Sequence, residues 1–157
     1  MLTAELNDLF TFSDKNPLLI ITIGNSYRSD DGVGPYIASK IKKCKKNLIV
    51  LNAEDKPENI INEATRLKPG KIVIIDAADF GGMPGEIRLI EKKDIPDTSL
   101  STHSFSPNIL AAIIEEDTGA DVLFLGIQPE SIQFGEGISK PVKEAAKRII
   151  SCLEKKE

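Results

Sequence analysis

The sequence predicts an α/β protein, a three-layer α/β/α sandwich around a mainly parallel sheet. Short and almost wholly apolar runs, such as residues 18–23 and 72–75, have the length and composition of strands that are buried on both faces. Segments with an apolar face at helical spacing lie between these runs. Strands that alternate with helices in this way form a parallel sheet covered by helices on its faces.

The first half of the chain is predicted to alternate between helices and strands. Helical spacing of apolar residues predicts the helices, and Pro57 and Gly70 suit the start and the end of one of them. These helices are a short one within residues 1–16, lying outside the core, and two longer ones over residues 32–44 and 57–70. Continuous apolar runs predict strands over residues 17–23, 47–52 and 71–76.

The second half is predicted to follow the same scheme with one shorter strand. A glycine-rich loop over residues 81–85 turns the chain into an alternating strand over residues 86–90. A buried strand over residues 121–127 lies between a helix that opens at Ser106 and a terminal helix over residues 141–153. The complete order is therefore that of one α/β unit.

Length and composition narrow the class of protein. A chain of 157 residues with 41% apolar and 28% charged residues fits a single globular domain over residues 1–157. A formal net charge of −4 argues against nucleic-acid binding, which requires a basic surface. No apolar segment reaches the roughly 18 residues that a membrane span needs, so no membrane insertion is expected. The N-terminus lacks a secretory pattern, and Cys44 and Cys152 form no CxxC pair, so we expect a cytoplasmic protein with reduced thiols.

An acidic turn follows the first predicted strand. Asp30 and Asp31 stand side by side in a glycine-bounded segment, residues 24–34, between that strand and the next helix. In open α/β sheets, ligands bind at the carboxyl ends of the strands, so chemistry is expected here. A pair of carboxylates that caps the helix is the structural alternative, and position alone leaves both interpretations open.

Asp76 and His103 are the other candidates for a site. Asp76 ends the most apolar strand, where a carboxylate is costly to bury unless it is hydrogen-bonded, paired or bound to a metal. His103 is the only histidine and lies in a polar loop. In a parallel sheet, the returning loop can bring it to the edge that Asp31 and Asp76 share. One imidazole and two carboxylates suit a borderline metal such as nickel or zinc, although spacing alone leaves an ordinary surface histidine open.

Several familiar motifs do not fit. The glycines match neither a GxGxxG nor a Gly-Lys-Ser/Thr phosphate loop, so a nucleotide-binding module is a weak alternative. Residues 117–119 spell Asp-Thr-Gly, but an aspartic protease needs two such carboxylates and there is no second copy. We interpret this tripeptide as a connecting turn after a helix. Neither a GxSxG elbow nor an HExxH helix occurs.

Five segments, taken together, resemble the hydrogenase maturation proteases. They are residues 24–34, 74–79, 84–87, 101–103 and 124–129, in the order and spacing of that family. The resemblance covers roughly residues 17–153 and is strongest to the branch that serves the large subunit of hydrogenase 3 and related enzymes. It implies that residues 17–153 are the protease core and that residues 1–16 are an N-terminal extension.

The resemblance also implies a fold and an activity. The sheet is expected to be mixed and five-stranded, with residues 86–90 as its antiparallel strand. The activity would be that of an endopeptidase that removes the C-terminal extension of a nickel-iron hydrogenase large-subunit precursor after nickel insertion. Asp31, Asp76 and His103 would be the catalytic and metal-contacting residues, and the nickel would be supplied by the precursor.

Some alternatives stay open within this interpretation. The protein could instead be a nickel-binding maturation checkpoint or chaperone without catalysis. The nickel could act in catalysis, or it could only position the substrate while a carboxylate serves as general base. The glycine-rich loop of residues 80–85 follows Asp76, and we expect it to contact the precursor.

Overall fold

A five-stranded sheet lies at the centre of the computed structural model, which describes residues 1–41, 45–95, 107–135 and 137–154. The helices are α1 (Thr3–Leu9), α2 (Val33–Lys40), α3 (Ile61–Arg66), α4 (Pro107–Thr118) and α5 (Lys140–Glu154). The strands are β1 (Leu18–Ile23), β2 (Leu48–Glu54), β3 (Lys71–Ala77), β4 (Ile87–Ile90) and β5 (Asp121–Ile127).

The sheet has the strand order β2-β1-β3-β5-β4. The pairs β1 with β2, β1 with β3, and β3 with β5 are parallel, whereas β4 pairs with β5 in the antiparallel direction. The mainly parallel, mixed five-stranded sheet is thereby confirmed, and so is the antiparallel strand at its edge. In the parallel part, the carboxyl ends of neighbouring strands meet at one edge.

Two hydrophobic clusters cover the two faces of the sheet. Alternate residues of a strand enter opposite clusters, as Ile20 and Ile21 of β1 do, because successive side chains of a strand point to opposite faces. Helices α1, α2 and α5 supply side chains to one cluster, and α3 and α4 supply side chains to the other. The result is the expected three-layer α/β/α arrangement.

The N-terminal helix α1 is more deeply packed than the sequence suggested. Leu6 and Phe10 are fully buried and belong to the same cluster as the apolar face of α5. The N-terminal amine of Met1 donates to the carbonyl of Ile87 in β4 at 3.0 Å. Rather than lying outside the core, α1 contributes part of it.

Several helix boundaries differ from the predicted ones. Helix α2 ends at Lys40, because Ile41 is extended at φ −79° and ψ 99°. The segment that opens at Pro57 first forms a 3₁₀ turn, and its α-helical part ends at Arg66. Asp117 lies in the last turn of α4 rather than in a connecting loop, and Gly119, at φ +71°, ends that helix.

Among the described residues, no helix is both long and apolar enough to cross a membrane.

Candidate functional site

The turn after β1 folds back so that Asp31 lies against the start of the same turn. A Cβ atom on Gly24 would stand 1.9 Å from the carbonyl oxygen of Asp31, so only glycine permits this close approach. The N–H of Asn25 donates to Asp31 Oδ2 at 3.0 Å. The glycine-rich segment therefore fixes the Asp31 carboxylate just beyond the carboxyl end of β1.

Asp31 and Asp76 are both buried, with 1% and 3% of their surfaces exposed. Asp31 belongs to a 3₁₀ turn, Ser29–Gly32, that packs against β3. Asp76 is the penultimate residue of β3, the parallel neighbour of β1. The structure thus places both residues at the carboxyl ends of adjacent strands. His103 lies outside the described residues, and its position beside the two carboxylates stays a prediction.

Asp30 has a different environment from its neighbour Asp31. Its Oδ1 accepts a hydrogen bond from the N–H of Ser139 at 2.7 Å, and its Oδ2 accepts one from the Ser139 hydroxyl at 2.8 Å. The same Oδ2 accepts from the N–H groups of Glu130 and Ser131, at 2.8 and 3.3 Å. Asp30 does not cap the following helix. Its carboxylate ties the segment between β5 and α5 to the acidic turn.

Gln128 fixes the glycine-rich loop after β3. Its Oε1 accepts from the N–H groups of Phe80 and Gly82, at 2.9 and 3.1 Å, and its Nε2 donates to Asp79 Oδ1 at 3.0 Å. The hydrogen bond from Gln128, followed by one from the N–H of Gly81, lowers the pKa of Asp79. The loop is therefore held by defined hydrogen bonds at the carboxyl end of β5.

The sequence did not reveal these two supporting roles. In the sequence, Asp30 is one of two adjacent carboxylates, and nothing near it indicates its hydrogen-bond partners. Those partners, the N–H groups of Glu130 and Ser139, lie about a hundred positions away. Gln128 stood in one of the segments that carried the family resemblance, which is the available signal for it. Its place directly after a buried strand is a second signal, because a polar side chain there needs a hydrogen-bond partner.

A groove of about 290 Å³ opens at the carboxyl ends of β1 and β2. It is lined by Gly24, Asn25, Ser26, Tyr27, Glu54 and Asp55. Because the N–H of Asn25 holds the Asp31 carboxylate, this groove borders the acidic turn. The side chains of Asn25, Glu54 and Asp55 give this groove a polar and acidic lining.

The donor set suits partial coordination of a metal. Asp31 and Asp76 provide carboxylate oxygens at the carboxyl ends of adjacent strands, and borderline metals accept such oxygens together with imidazole nitrogen. Within residues 1–41, 45–95, 107–135 and 137–154, no group of three or more His, Cys, Asp or Glu side chains is placed to hold a metal ion. A buried carboxylate at this edge can also serve as a general base.

Comparisons with known proteins agree on one family. A family model described as hydrogenase maturation protease matches residues 35–156. The chain is 38% identical over 138 residues to the hydrogenase 3 maturation protease of Escherichia coli K12, covering 87% of this chain and 88% of the relative.

Solved structures give the same result. The crystal structure of a [NiFe] hydrogenase maturation protease from Thermococcus kodakarensis is 33% identical, with a TM-score of 0.80 over 96% of this chain and 99% of that one. The solution structure of an endopeptidase from Escherichia coli is 37% identical, with a TM-score of 0.78 over 88% of this chain and 89% of that one.

Proposed function

Since this chain belongs to the hydrogenase maturation protease family and is therefore a peptidase, we propose that it removes the C-terminal extension of a nickel-iron hydrogenase large-subunit precursor after nickel insertion. The partner is that precursor, and the nickel is part of the substrate. The observation that carries the proposal is the pair of buried carboxylates, Asp31 and Asp76, at the carboxyl ends of two adjacent parallel strands in a chain of this family.

In this proposal, Asp31, Asp76 and His103 reach the nickel that the precursor already holds. Two carboxylates and one imidazole are too few ligands for a closed site, but they can complete the coordination of a metal that a partner supplies. Burial supports such a role, because removal of carboxylates from water is costly unless hydrogen bonds or a cation compensate for it. Before nickel insertion, the precursor would therefore bind this protein only weakly.

The reaction is the hydrolysis of one peptide bond. The oxygen of water bonds to the carbonyl carbon, the C–N bond breaks, and the leaving nitrogen takes a proton. Two assignments of the catalytic roles to the nickel and the carboxylates are consistent with these residues. In one, the substrate's nickel polarises the carbonyl or activates the water; in the other, a carboxylate accepts the proton of water and the nickel only positions the peptide.

A cytoplasmic location belongs to the same proposal. Cys152 is a buried thiol that forms no disulfide, and reduced cysteines are typical of a reducing compartment.

Incubation with apo and nickel-loaded precursor tests the proposed function, with the masses of intact products as the readout. We expect the nickel-loaded precursor alone to lose the mass of its extension. Equal cleavage of both forms would remove nickel sensing from the mechanism. Binding of the nickel-loaded form without any loss of mass would favour the checkpoint or chaperone alternative.

A further inference from the structure

Two exposed aromatic side chains lie beside the acidic turn. Tyr27 is 69% exposed and Phe134 is 83% exposed. Their segments are joined, because the N–H of Gly135 donates to the carbonyl of Tyr27 at 3.0 Å and Arg28 forms a bridge with Gly135. Large apolar side chains that are exposed together often mark an interaction site.

Hydrogen bonds hold the segment that carries Phe134 in place. Ser29 donates from its N–H to Gly135 and from its hydroxyl to the carbonyl of Gln133, both at 2.8 Å. Arg28 Nε donates to the carbonyl of Ile132 at 3.2 Å. Phe134 is therefore presented on a fixed backbone.

The backbone at Ser29 also shows that this arrangement is imposed by its surroundings. Its φ of +51° lies in the left-handed region, which is unfavourable for a residue with a side chain. The hydrogen bonds that Ser29 donates to the carbonyl groups of Gly135 and Gln133 hold that conformation. The Asp30 carboxylate accepts hydrogen bonds from Glu130, Ser131 and Ser139, on either side of Phe134, so Asp30 acts as a positioning residue for that segment.

Arg28 places a positive charge beside the Phe134 ring. Its guanidinium carbon lies 5.5 Å from the centre of the Phe134 ring, within the range of a cation–π interaction. In the described part of the chain, no carboxylate lies within ion-pair distance of Arg28. Its guanidinium can therefore donate charge-assisted hydrogen bonds to a carboxylate of another molecule.

We propose that Tyr27, Arg28 and Phe134, here called the aromatic rim, dock a segment of the precursor that carries an apolar side chain beside a carboxylate. This inference rests on the proposed function and specifies where the precursor is held. The apolar side chain would cover the exposed rings, and the carboxylate would pair with Arg28. Aromatic residues and arginine are also the side chains that most often dominate binding at protein interfaces.

Position and charge both support this occupant. Tyr27 and Arg28 belong to the same turn as Asp31, and Gly135 joins Phe134 to that turn, so a peptide bound there lies close to the proposed site of cleavage. Glu54 and Asp55 line the neighbouring groove beside Tyr27 and repel a carboxylate. A carboxylate of the precursor is therefore attracted to Arg28 and not to that groove.

The test measures both binding and cleavage of purified nickel-loaded precursor by the full chain. The variants are Tyr27→Ala with Phe134→Ala, and separately Arg28→Gln and Arg28→Glu. Leu2→Ala is the matched control, because Leu2 is 70% exposed and lies before α1, outside the aromatic rim. Melting temperature checks that each variant is folded.

We expect the double aromatic variant to weaken precursor binding by about tenfold or more and to raise KM to match, with kcat nearly unchanged. Arg28→Glu should weaken binding more than Arg28→Gln, and added salt should reduce the wild-type affinity but not that of Arg28→Gln. Leu2→Ala should behave as the wild type.

Each other outcome has a defined meaning. Unchanged binding in the folded rim variants, with cleavage intact, overturns the docking surface alone. Equal effects of Arg28→Gln and Arg28→Glu overturn the carboxylate partner. Wild-type binding without cleavage overturns the proposed function, while the variants' affinities still decide the docking surface. Absence of wild-type binding overturns both proposals.

Discussion

Asp30 accepts hydrogen bonds from both the backbone N–H and the hydroxyl of Ser139, at 2.7 and 2.8 Å, although the two residues are 109 positions apart. The bonds join the turn after the first strand to the residue before the last helix. The same carboxylate accepts from the N–H groups of Glu130 and Ser131, so Asp30 anchors both ends of the segment that carries Phe134.

Replacement of Asp30 should therefore destabilise the fold. Asp30→Asn keeps the shape but replaces one carboxylate oxygen with an NH2 donor, which then faces an N–H group that donates to that oxygen in the wild type. We expect a loss of about 1–3 kcal/mol in the free energy of unfolding, and a loss of about 1 kcal/mol for Ser139→Ala, which removes a single bond. Urea denaturation measures both, with the exposed Asp117→Asn as control. A wild-type urea midpoint for Asp30→Asn would show that the hydrogen bonds of the Asp30 carboxylate contribute nothing to stability.

The neighbouring carboxylates should affect catalysis instead. We predict that Asp31→Asn or Asp76→Asn lowers cleavage of nickel-loaded precursor by about a hundredfold or more, as expected on loss of a catalytic acid–base group or ligand charge. Asp117→Asn should leave cleavage nearly intact, because Asp117 is exposed in the last turn of α4. Initial rates from product masses give the comparison. Full activity in either site variant would contradict the site assignment.

The glycine-rich loop allows a matched comparison. Gly81 and Gly119 have nearly the same backbone angle, at φ +76° and +71°, and a Cβ atom on either would meet nothing within 4 Å. Gly81→Ala and Gly119→Ala should each cost about 1 kcal/mol of stability, because an L side chain disfavours this conformation.

The two variants should differ in activity. If the loop contacts the precursor, only Gly81→Ala should lower cleavage, because Gly119 lies in the turn between α4 and β5. The double variant Gly81→Ala with Gly82→Ala should likewise show a lower cleavage rate than its change in melting temperature accounts for. Parallel losses of rate and melting temperature in all these variants would mean that the loop is only a connector.

Asp79 should make the fold weakly dependent on pH. The hydrogen bonds from Gln128 and Gly81 lower the pKa of Asp79 below its ordinary value of 3.8. Since the folded-state pKa is the lower one, the ionised carboxylate stabilises the fold above the unfolded-state pKa, and this contribution is lost as the pH falls through the folded-state pKa.

Melting temperatures between about pH 7 and pH 3 test this sign. Wild type should melt slightly above Asp79→Asn near neutral pH, and the difference should shrink below about pH 4. The effect is small because Asp79 is exposed to solvent. If the difference in melting temperature between wild type and Asp79→Asn grew on acidification, the pKa of Asp79 would be raised in the folded state and not lowered.

His103 should matter for processing and not for folding. We predict that His103→Ala blocks cleavage, leaves the melting temperature unchanged, and that free wild-type protein binds nickel only weakly, since three ligands leave the coordination open. Calorimetric titration with nickel and the precursor assay measure the two effects. Tight nickel binding by the free protein would assign the metal to this chain and not to the precursor.

Local patterns predicted the sheet and the location of the acidic residues. The apolar run ending at Ile23 and the one ending before Asp76 defined two central strands, and a parallel sheet then brings their carboxyl ends to one edge. Apolar spacing predicted one helix over residues 57–70, but the first four of these residues form a 3₁₀ turn and α3 is correspondingly shorter. Spacing also showed that α1 has an apolar face, but not that Leu6 would be buried against α5.

Long-range hydrogen bonds account for what the sequence did not show. Asp30 and Asp31 look equivalent in the sequence, yet one binds Ser139 and the other binds Asn25. The difference depends on the return of the chain after β5, which no local pattern encodes. The same holds for Gln128, which contacts a loop nearly fifty positions earlier.

The strand order has a consequence for synthesis on the ribosome. Strand β4 precedes β5 in the chain, yet β5 is its neighbour in the sheet, so β4 emerges before its partner exists. The glycine-rich loop also depends on this segment, because its N–H groups donate to Gln128, the residue that follows β5. A nascent chain therefore carries an unpaired edge strand, a state open to mispairing, until residues 121–128 have left the exit tunnel.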